Sequence, residues 1–261
     1  MLNTKAAFPI FFGDKHTCPV DWRTPEFHTC CIELAQKLGA THLIALKQVH
    51  GTDGLCIDNT SKLLQDKNNV QSQDITNTPQ SIEKNVHISL YKTSGDYLIT
   101  NQKNVAIAVV TADCLPIIIH DSINNAVAVI HAGWPGTVTG ITEKALRAMQ
   151  EAFGTDPAQV HVYFGPSAKT CCYEVQENFY AKFSPIPAKQ LAHIEQSIIS
   201  RDNKLFFDNP GCNKLILHAC GVPEAHIHTE HNICTICHHE YHSYRRDKEN
   251  ALRQLTMTTI T

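Results

Sequence analysis

Two long runs of aliphatic and β-branched residues mark the middle of the chain. They are VAIAVVTADCLPIIIHD (residues 105–121) and NAVAVIHAGW (residues 125–134). Runs with so few polar positions are typical of strands that are buried on both faces of a sheet. The segment between them, DSINN, is rich in turn-forming residues. The pattern therefore predicts a β-hairpin near the centre of the fold.

Segments with helical periodicity alternate with these strand-like runs. Residues 25–39 predict a helix that starts near Pro25 and stops at Gly39, and residues 139–154 predict an amphipathic helix that stops at Gly154. We also expect helices at 174–183, 187–199 and 210–221, and closing strands at 242–247 and 253–260. The mixture predicts an α/β fold, and we expect residues 1–261 to form one domain.

A polar stretch at about residues 58–84 interrupts the pattern. Asn, Gln, Ser, Thr and Asp dominate it, so it cannot bury much apolar surface. Strand-like sequence resumes directly afterwards with VHISLYK and GDYLIT. We therefore expect a mobile surface insertion within the domain.

Composition and charge narrow the class of partner. The 261 residues carry 22 basic and 25 acidic side chains, for a net charge of −3, and contain neither a basic stripe nor a polybasic segment. We therefore expect no nucleic-acid or membrane partner. No apolar run approaches the roughly 20 residues that span a bilayer, and the N-terminal segment lacks the features of a signal peptide. These features predict a cytoplasmic protein.

Cysteine and histidine are unusually frequent, with 11 Cys and 16 His. An odd number of cysteines without an export signal argues against a disulfide framework. We therefore expect cysteines such as Cys18 and Cys30 to be free, buried thiols, because Cys packs as a small hydrophobic residue.

Cys114 and His131 lie at similar distances from the predicted hairpin turn. A hairpin that pivots near residues 122 and 123 places them opposite each other, with Cβ atoms about 5 Å apart. A thiolate and an imidazole at that separation can both reach one metal ion. Pro116 interrupts the hydrogen-bond ladder, so a shift of register would change this geometry.

His50, in KQVHG, is a third candidate ligand at the end of a predicted strand. One Cys and two His leave a fourth tetrahedral position open, as catalytic zinc sites do. Asp113, beside Cys114, is a candidate general base or a residue that orients the ligands. The alternatives are a buried Cys with two hydrogen-bonded His residues, or Cys114 as the nucleophile of a cysteine hydrolase.

Six short segments resemble one known family. KQVHG, GDYLIT, VVTADCLPI, VIHAGWPG, CCYEV and SYRRD occur in the order seen in the laccase-domain family, the YfiH-type, polyphenol-oxidase-like proteins. The resemblance covers about residues 40–250, apart from the polar insertion. It implies a layered α/β/β/α fold in a single domain. It also implies a zinc site built from His50, Cys114 and His131.

The resemblance implies an enzyme of purine nucleosides. The implied activities are phosphorolysis of adenosine, inosine and methylthioadenosine and deamination of adenosine, so a purine nucleoside and phosphate would be the partners. Three alternatives stay open. They are a polyphenol oxidoreductase that uses Cu²⁺, an amidase-type peptidoglycan editing factor, and a non-enzymatic metal-binding protein. Copper fits less well, since multicopper oxidases need more His-rich ligand sets.

Further candidates for substrate binding lie in the same motifs. The planar guanidinium groups of Arg245 and Arg246 can each bind two phosphate oxygens, although an ion pair with Asp247 is equally compatible with the sequence. The remaining candidates for the nucleoside pocket are Gln48, Tyr173 and Glu174. For Tyr173 and Glu174, a core tyrosine and a helix-starting glutamate are the alternatives.

Three segments depart from the family pattern. Pro135 stands where the HAGWRG motif has Arg, GPSAK lacks the second glycine of the usual GPxIG loop, and ENALRQ follows SYRRDK in place of a TGR. The metal ligands are unaffected. The surroundings that would bind phosphate are changed.

Another group of metal-binding residue types lies at residues 226–242, with the sequence HIHTEHNICTICHHEYH. Cys234 to His238 spells the C-x-x-C-H motif of covalent haem attachment, but that attachment normally requires an exported chain. Cys234 and Cys237 also have zinc-ligand spacing. We expect a strand and loop next to the active site here, and a second metal site is the alternative.

Overall fold

The computed structural model describes residues 2–3, 8–18, 21, 23–59, 87–183 and 185–261. The predicted insertion at 58–84 lies outside this set except for residues 58 and 59. Its mobility, and the assignment of the whole chain to one domain, therefore stay predictions.

The described strands, numbered in chain order, form two six-stranded sheets and one three-stranded sheet. The first sheet has the order β1 (Leu2–Asn3), β2 (Ile10–Phe12), β15 (Gln254–Thr258), β7 (Val105–Thr111), β3 (His42–Lys47) and β5 (His87–Ser94). The second has the order β14 (Ile227–His228), β10 (His161–Phe164), β8 (Leu115–Asp121), β9 (Ala126–Ala132), β6 (Tyr97–Thr100) and β4 (Gly54–Ile57). The third consists of β11 (Glu174–Val175), β13 (Lys204–Phe207) and β12 (Ile198–Arg201).

Six α-helices lie within the described ranges. They are α1 (Pro25–Lys37), α2 (Trp134–Val138), α3 (Ile141–Phe153), α4 (Ala188–Gln196), α5 (Asn209–Ala219) and α6 (Tyr244–Asp247). Short 3₁₀ turns occupy Ala181–Phe183, Glu224–His226 and Lys248–Asn250. Within the described ranges, no helix has the length and apolar character that crossing a membrane requires.

Three of the four hydrophobic clusters among the described residues explain the layering. The first lies between α1 and the first sheet, the second between the two large sheets, and the third between the second sheet and α3. In β8, Ile117 and Ile119 face α3 while Ile118 faces the other sheet. Each side chain buried in this way contributes roughly 1.5–3 kcal/mol to the free energy of unfolding. The continuous apolar runs thus reflect strands covered on both faces, and the α/β/β/α fold class is confirmed.

The predicted hairpin is present in the second sheet. Strands β8 and β9 pair antiparallel along their full length. Asp121 closes the turn, because its Oδ1 accepts hydrogen bonds from the backbone N–H groups of Ile123 and Asn124, each 3.0 Å long. This is the local bonding that favours Asp at such turns.

Two predicted elements were wrong. Residues 174–183 do not form a helix, because Glu174 and Val175 pair instead with Phe206 and Leu205 of β13. Residues 242–247 do not form a strand. Ser243 caps α6 there by accepting a hydrogen bond from Arg246 N at 3.2 Å, a role that Ser fills readily.

Cys18 and Cys30 also differ from the prediction, because they form a disulfide. The two residues are 12 positions apart in sequence. Cys30 lies in α1 and Cys18 lies before it, so the pairing depends on tertiary structure that the sequence spacing alone does not reveal.

Candidate active site

Three predicted ligands meet where the ends of the two large sheets come together. His50 follows β3 of the first sheet, Cys114 directly precedes β8, and His131 lies near the end of β9. Their ligand atoms all lie within 4.8 Å of one another. Cys114 Sγ is 3.7 Å from His50 Nε2, and the two imidazole centroids are 4.7 Å apart. The structure therefore brings the trio together closely enough to bind one ion.

The register of the hairpin differs from the prediction. Pro116, and not Cys114, lies opposite His131, and Leu115 lies opposite Ala132. The shift is two residues along β8. Because side chains alternate between faces with a period of two, this shift keeps Cys114 on the same face as His131. The predicted pairing was wrong, but the two side chains still meet at the end of the hairpin.

Asp96 is a buried carboxylate that orients two of the ligands. It is 0% exposed, and its Oδ1 bonds His131 Nδ1 at 2.8 Å and accepts from His50 N at 3.0 Å. Its Oδ2 accepts from Gly51 N at 2.7 Å. Occupying Nδ1 of His131 leaves Nε2 for a metal, as in carboxylate–histidine–zinc triads. Sequence reasoning missed this residue, although an acidic residue directly before the apolar strand in GDYLIT was a usable signal.

The Cys114 thiolate and the His131 imidazolium stabilise each other. Burial alone would raise the pKa of the Cys114 thiol, but the His131 charge and hydrogen bonds from His131 and His50 lower that pKa to about 6. Burial opposes a charge on His131, whereas the Cys114 thiolate and Asp96 raise the pKa of His131 to about 9. The thiolate, the form that binds metals, is therefore favoured near neutral pH.

The backbone around the ligands is tightly constrained. His50 has φ 60° and Asp113 has φ 91°, in the left-handed region that non-glycine residues rarely adopt. A Cβ on Gly133 would lie 3.0 Å from His50 Cδ2 and 3.1 Å from Cys114 Sγ. A side chain at this position of the HAGW motif would therefore press closely on two ligands. Sequence reasoning did not identify Gly133.

Asp113 links the Cys114 loop to two other segments. Its Oδ1 accepts from Thr235 Oγ1 at 2.7 Å, and its Oδ2 accepts from Arg245 N at 2.5 Å. Each carboxylate oxygen thus holds one neighbouring segment. These contacts favour the orienting role over the general-base role.

Arg245 and Tyr173 form a wall beside the trio. Arg245 Cζ lies 5.0 Å from the centroid of the Tyr173 ring, and Arg245 Nη1 donates to Glu174 O at 2.9 Å. Burial raises the pKa of Tyr173, and the nearby Cys114 thiolate raises it further. The Glu174 carboxylate instead pairs with Lys204 Nζ at 2.8 Å, and both side chains are exposed. The geometry thus brings Arg245 and Tyr173 towards the site, together with the backbone of Glu174.

Arg246 and Gln48 are engaged with the protein itself. Arg246 pairs with both carboxylate oxygens of Asp247, at 2.7 and 2.6 Å, and donates to the carbonyls of Thr235, Ile236 and Tyr241. Gln48 bonds the backbone N–H and C=O of Val110, each at 2.8 Å. Their roles in substrate binding stay predictions. Their contacts are those of residues that hold the loops around the site in place.

The cysteine pair expected near the C-terminus does not stand alone. Cys234 and Cys237 lie beside Cys171 and Cys172, and the four sulfur atoms are within 4.8 Å of one another. The spacing of CCYEV and CTIC along the chain does not indicate that these two segments meet. Two of the C-terminal histidines pack elsewhere, since the rings of His226 and His228 stack on His161 with centroid distances of 4.5 and 5.3 Å.

Similar proteins fall into one group. The most similar in sequence include purine nucleoside phosphorylases of Aquifex aeolicus, 40% identical over 166 residues (64% of this chain and 71% of the relative), and of Clostridium acetobutylicum, 34% identical over 164 residues (62% and 65%). A purine nucleoside phosphorylase of Borreliella burgdorferi is 35% identical over 156 residues (60% and 65%). The matched part of the chain thus spans less than two thirds of the last two relatives.

Solved structures show the same fold. The YfiH protein of Bacillus licheniformis has a TM-score of 0.74 at 19% identity, over 97% of this chain and 92% of that one. YlmD of Geobacillus stearothermophilus has a TM-score of 0.69 at 22% identity, over 97% and 91%. The family model described as multi-copper polyphenol oxidoreductase laccase matches residues 28–261. This chain therefore belongs to the laccase-domain, YfiH-type family.

Proposed function

We propose that this chain is a zinc-dependent purine nucleoside enzyme that cleaves adenosine, inosine and methylthioadenosine with phosphate and deaminates adenosine. The observation that carries the proposal is the convergence of His50, Cys114 and His131, with His131 backed by Asp96 and His50 exposed. Relatives named purine nucleoside phosphorylases support the class of substrate.

The donor set fits zinc. One sulfur and two imidazole nitrogens are borderline-soft ligands that suit this ion, and three protein ligands leave one coordination position for water or substrate. The Asp96–His131 hydrogen bond is the orienting contact expected of such a site. When bound there, zinc supplies a Lewis acid that polarises a substrate oxygen or a water molecule.

Phosphorolysis requires a cation for the attacking phosphate. The reaction joins a phosphate oxygen to C1′ of the sugar and breaks the bond from C1′ to N9. The proton of hydrogen phosphate passes to the leaving purine, and the sugar 1-phosphate remains (5-methylthioribose 1-phosphate from methylthioadenosine). Arg245 is the side chain that we assign to the phosphate. It is exposed, while Tyr173 and the Glu174 carbonyl hold its guanidinium in place. A guanidinium fixed in this way can bind two oxygens with little further loss of entropy.

Deamination requires water at C6 of the purine, where it displaces ammonia. The purine must therefore come close to the trio. Val49, next to His50, is 51% exposed and offers an apolar contact at the rim for a purine ring. We assign Asp113 to positioning, because it ties the Cys114 loop to Arg245 N and Thr235.

Copper-dependent oxidation of phenols is the second candidate, since the family description carries that activity. Multicopper oxidation needs several copper ions with His-rich ligand sets. Among the described residues, the groups able to hold a metal are this trio and the four cysteines. These ligands favour zinc chemistry over a multicopper centre.

The deciding experiment combines metal analysis with product analysis. We expect protein purified without added metal to contain zinc and to convert adenosine to adenine only when phosphate is present, and to inosine without phosphate. Cys114→Ala should lose both reactions, while Cys220→Ala, which removes a half-buried thiol outside both metal-binding groups, should keep them. Copper with oxygen uptake on phenols would support the oxidase instead. Zinc-loaded protein that turns over no nucleoside would redirect the assay to peptidoglycan precursors or to a non-enzymatic role.

A further inference from the structure

Four cysteines from two distant segments form what we call the cysteine cluster: Cys171, Cys172, Cys234 and Cys237. Their sulfur atoms all lie within 4.8 Å of one another. The distance from Cys237 Sγ is 2.9 Å to Cys172 Sγ and 3.3 Å to Cys171 Sγ. A tetrahedral zinc ion with Zn–S bonds of about 2.3 Å separates its sulfurs by about 3.8 Å. The cluster therefore has the size of a four-thiolate zinc site.

The backbone holds the two segments together without help from the sulfurs. Ser167 forms a parallel bridge with Cys234, with hydrogen bonds of 3.0 Å from Ser167 N to Ile233 O and 3.1 Å from Thr235 N to Ser167 O. Asn232 Nδ2 also donates to Gly165 O at 2.6 Å. The pairing of the two main chains thus places the four thiols next to one another.

The C-x-x-C turn has the geometry of a ligand loop. Cys234 is buried, and it is separated from Cys237 by the spacing of zinc ligands. The backbone N–H of His238 donates a hydrogen bond to Cys234 O at 3.1 Å, which closes the turn. The loop is therefore ordered by its own main chain.

We propose that the cysteine cluster binds a structural zinc ion through four thiolates, separately from the centre at His50, Cys114 and His131. Four thiolates this close repel one another unless a cation lies between them, and four protein ligands fill the coordination shell of zinc. This proposal does not depend on the purine nucleoside activity.

The cluster lies next to segments that contact the first site. Cys172 directly precedes Tyr173, and Thr235, inside the C-x-x-C turn, donates to Asp113. Arg246 donates to the carbonyls of Thr235 and Ile236 in the same turn. A metal at the cluster would therefore fix the wall that carries Tyr173 and Arg245 against the Cys114 loop.

The test is metal stoichiometry in four proteins purified under reducing conditions without added metal. These are the wild type, the Cys172→Ser/Cys237→Ser double variant, Cys114→Ala, and Cys220→Ser as the matched thiol control. Mass spectrometry of the metals should find about two zinc ions per chain in the wild type and in the control, and about one in each of the others. After cobalt exchange, Cys114→Ala should keep the charge-transfer bands of a multi-thiolate site, and the double variant should lose them.

Cys237→His, which keeps a ligand at that position, guards against a variant that merely fails to fold and should retain the second ion. Circular dichroism checks the fold of every protein. A wild type with one zinc ion that disappears in Cys114→Ala would overturn the proposal. A disulfide within the cluster would also overturn it, and would show as thiols that resist alkylation under non-reducing conditions with no second ion bound.

Discussion

The two groups of metal-binding residues differ in what stands behind their ligands. At the site formed by His50, Cys114 and His131, the buried Asp96 carboxylate forms a hydrogen bond with the His131 imidazole, and His50 is exposed. At the cysteine cluster, paired main chains hold four thiols within 4.8 Å of one another, and four protein ligands would fill the coordination shell of zinc. Three protein ligands leave one coordination position of a zinc ion for substrate or water, whereas four thiolates occupy all four positions. The first site is therefore expected to govern activity, and the second is expected to govern stability.

The largest expected effect comes from removing a ligand of the first site. Cys114→Ala should lower kcat/KM for adenosine phosphorolysis by more than about a hundredfold, beyond the range for residues that only support a ligand. The melting temperature should change by only a few degrees, because a catalytic ion is usually dispensable for the fold. The Cys172→Ser/Cys237→Ser variant should instead show a large fall in melting temperature. If Cys114→Ala unfolds the protein as severely, the contrast between the sites fails.

Asp96→Asn tests whether the buried carboxylate supports the first site. The amide keeps the shape but loses the charge that orients His131, so we expect zinc affinity or kcat/KM to fall about 10- to 100-fold. Competition with a chelator measures the affinity. Asp53→Asn, at an exposed residue paired with Lys144, is the matched control and should change neither quantity. An unchanged affinity in Asp96→Asn would remove the carboxylate from the account of the site.

Arg245→Ala separates phosphate binding from the rest of the reaction. Loss of hydrogen bonds to a charged group costs about 1.5–3 kcal/mol, which corresponds to roughly a 10- to 100-fold rise in the KM for phosphate. Deamination, which uses no phosphate, should change far less. Arg147→Ala, at an exposed residue paired with Glu143, serves as the control. Equal losses in both reactions would refute the phosphate role.

Gly133→Ala should disturb the first site through a single methyl group. The new Cβ would press on His50 and Cys114, and we expect about a tenfold fall in kcat/KM, since small displacements at a reacting centre are costly. Gly140→Ala is the informative comparison, because a Cβ there meets nothing within 4 Å although φ is +87°. It should cost about 1 kcal/mol of stability with activity intact. Similar kinetics for the two variants would argue against the close approach at Gly133.

The smallest expected effect arises away from both sites. Burial and the neighbouring His161 lower the pKa of His120, stacked on Phe8, to about 4. The unfolded chain therefore binds this proton first, so the free energy of unfolding should fall as pH drops from about 6.5 to about 4. After allowance for partial exposure, the loss should be about 1–2 kcal/mol. His242, whose pKa is also lowered to about 4, contributes in the same range, so His120→Phe should reduce that pH dependence in urea unfolding without abolishing it. An unchanged slope would contradict the assignment.

Local patterns predicted the parts of the molecule that depend on local physics. Continuous apolar runs indicated strands covered on both faces, and DSINN indicated the hairpin turn. Cys114 and His131 could be paired from the sequence because they flank that turn, whereas His50 came from its position at a strand end and from the family resemblance. Asp96, Gly133 and the meeting of Cys171 and Cys172 with CTIC were not, since each depends on contacts between segments far apart in sequence.

The errors have physical causes as well. Residues 174–183 have helical composition, but pairing with β13 prevails over that local preference. The two-residue shift of the hairpin followed from the length of the turn, which the sequence left open. The shift was harmless for the trio because it was even.

The ligands of the first site come from both halves of the sandwich, His50 from the first sheet and Cys114 and His131 from the second. Packing among Ile44, Val109 and Ile118 sets the distance between the sheets. That distance therefore determines how far His50 lies from Cys114 and His131. A substitution deep in that interior, remote from any substrate, can weaken metal affinity simply by letting the sheets settle closer together or slide.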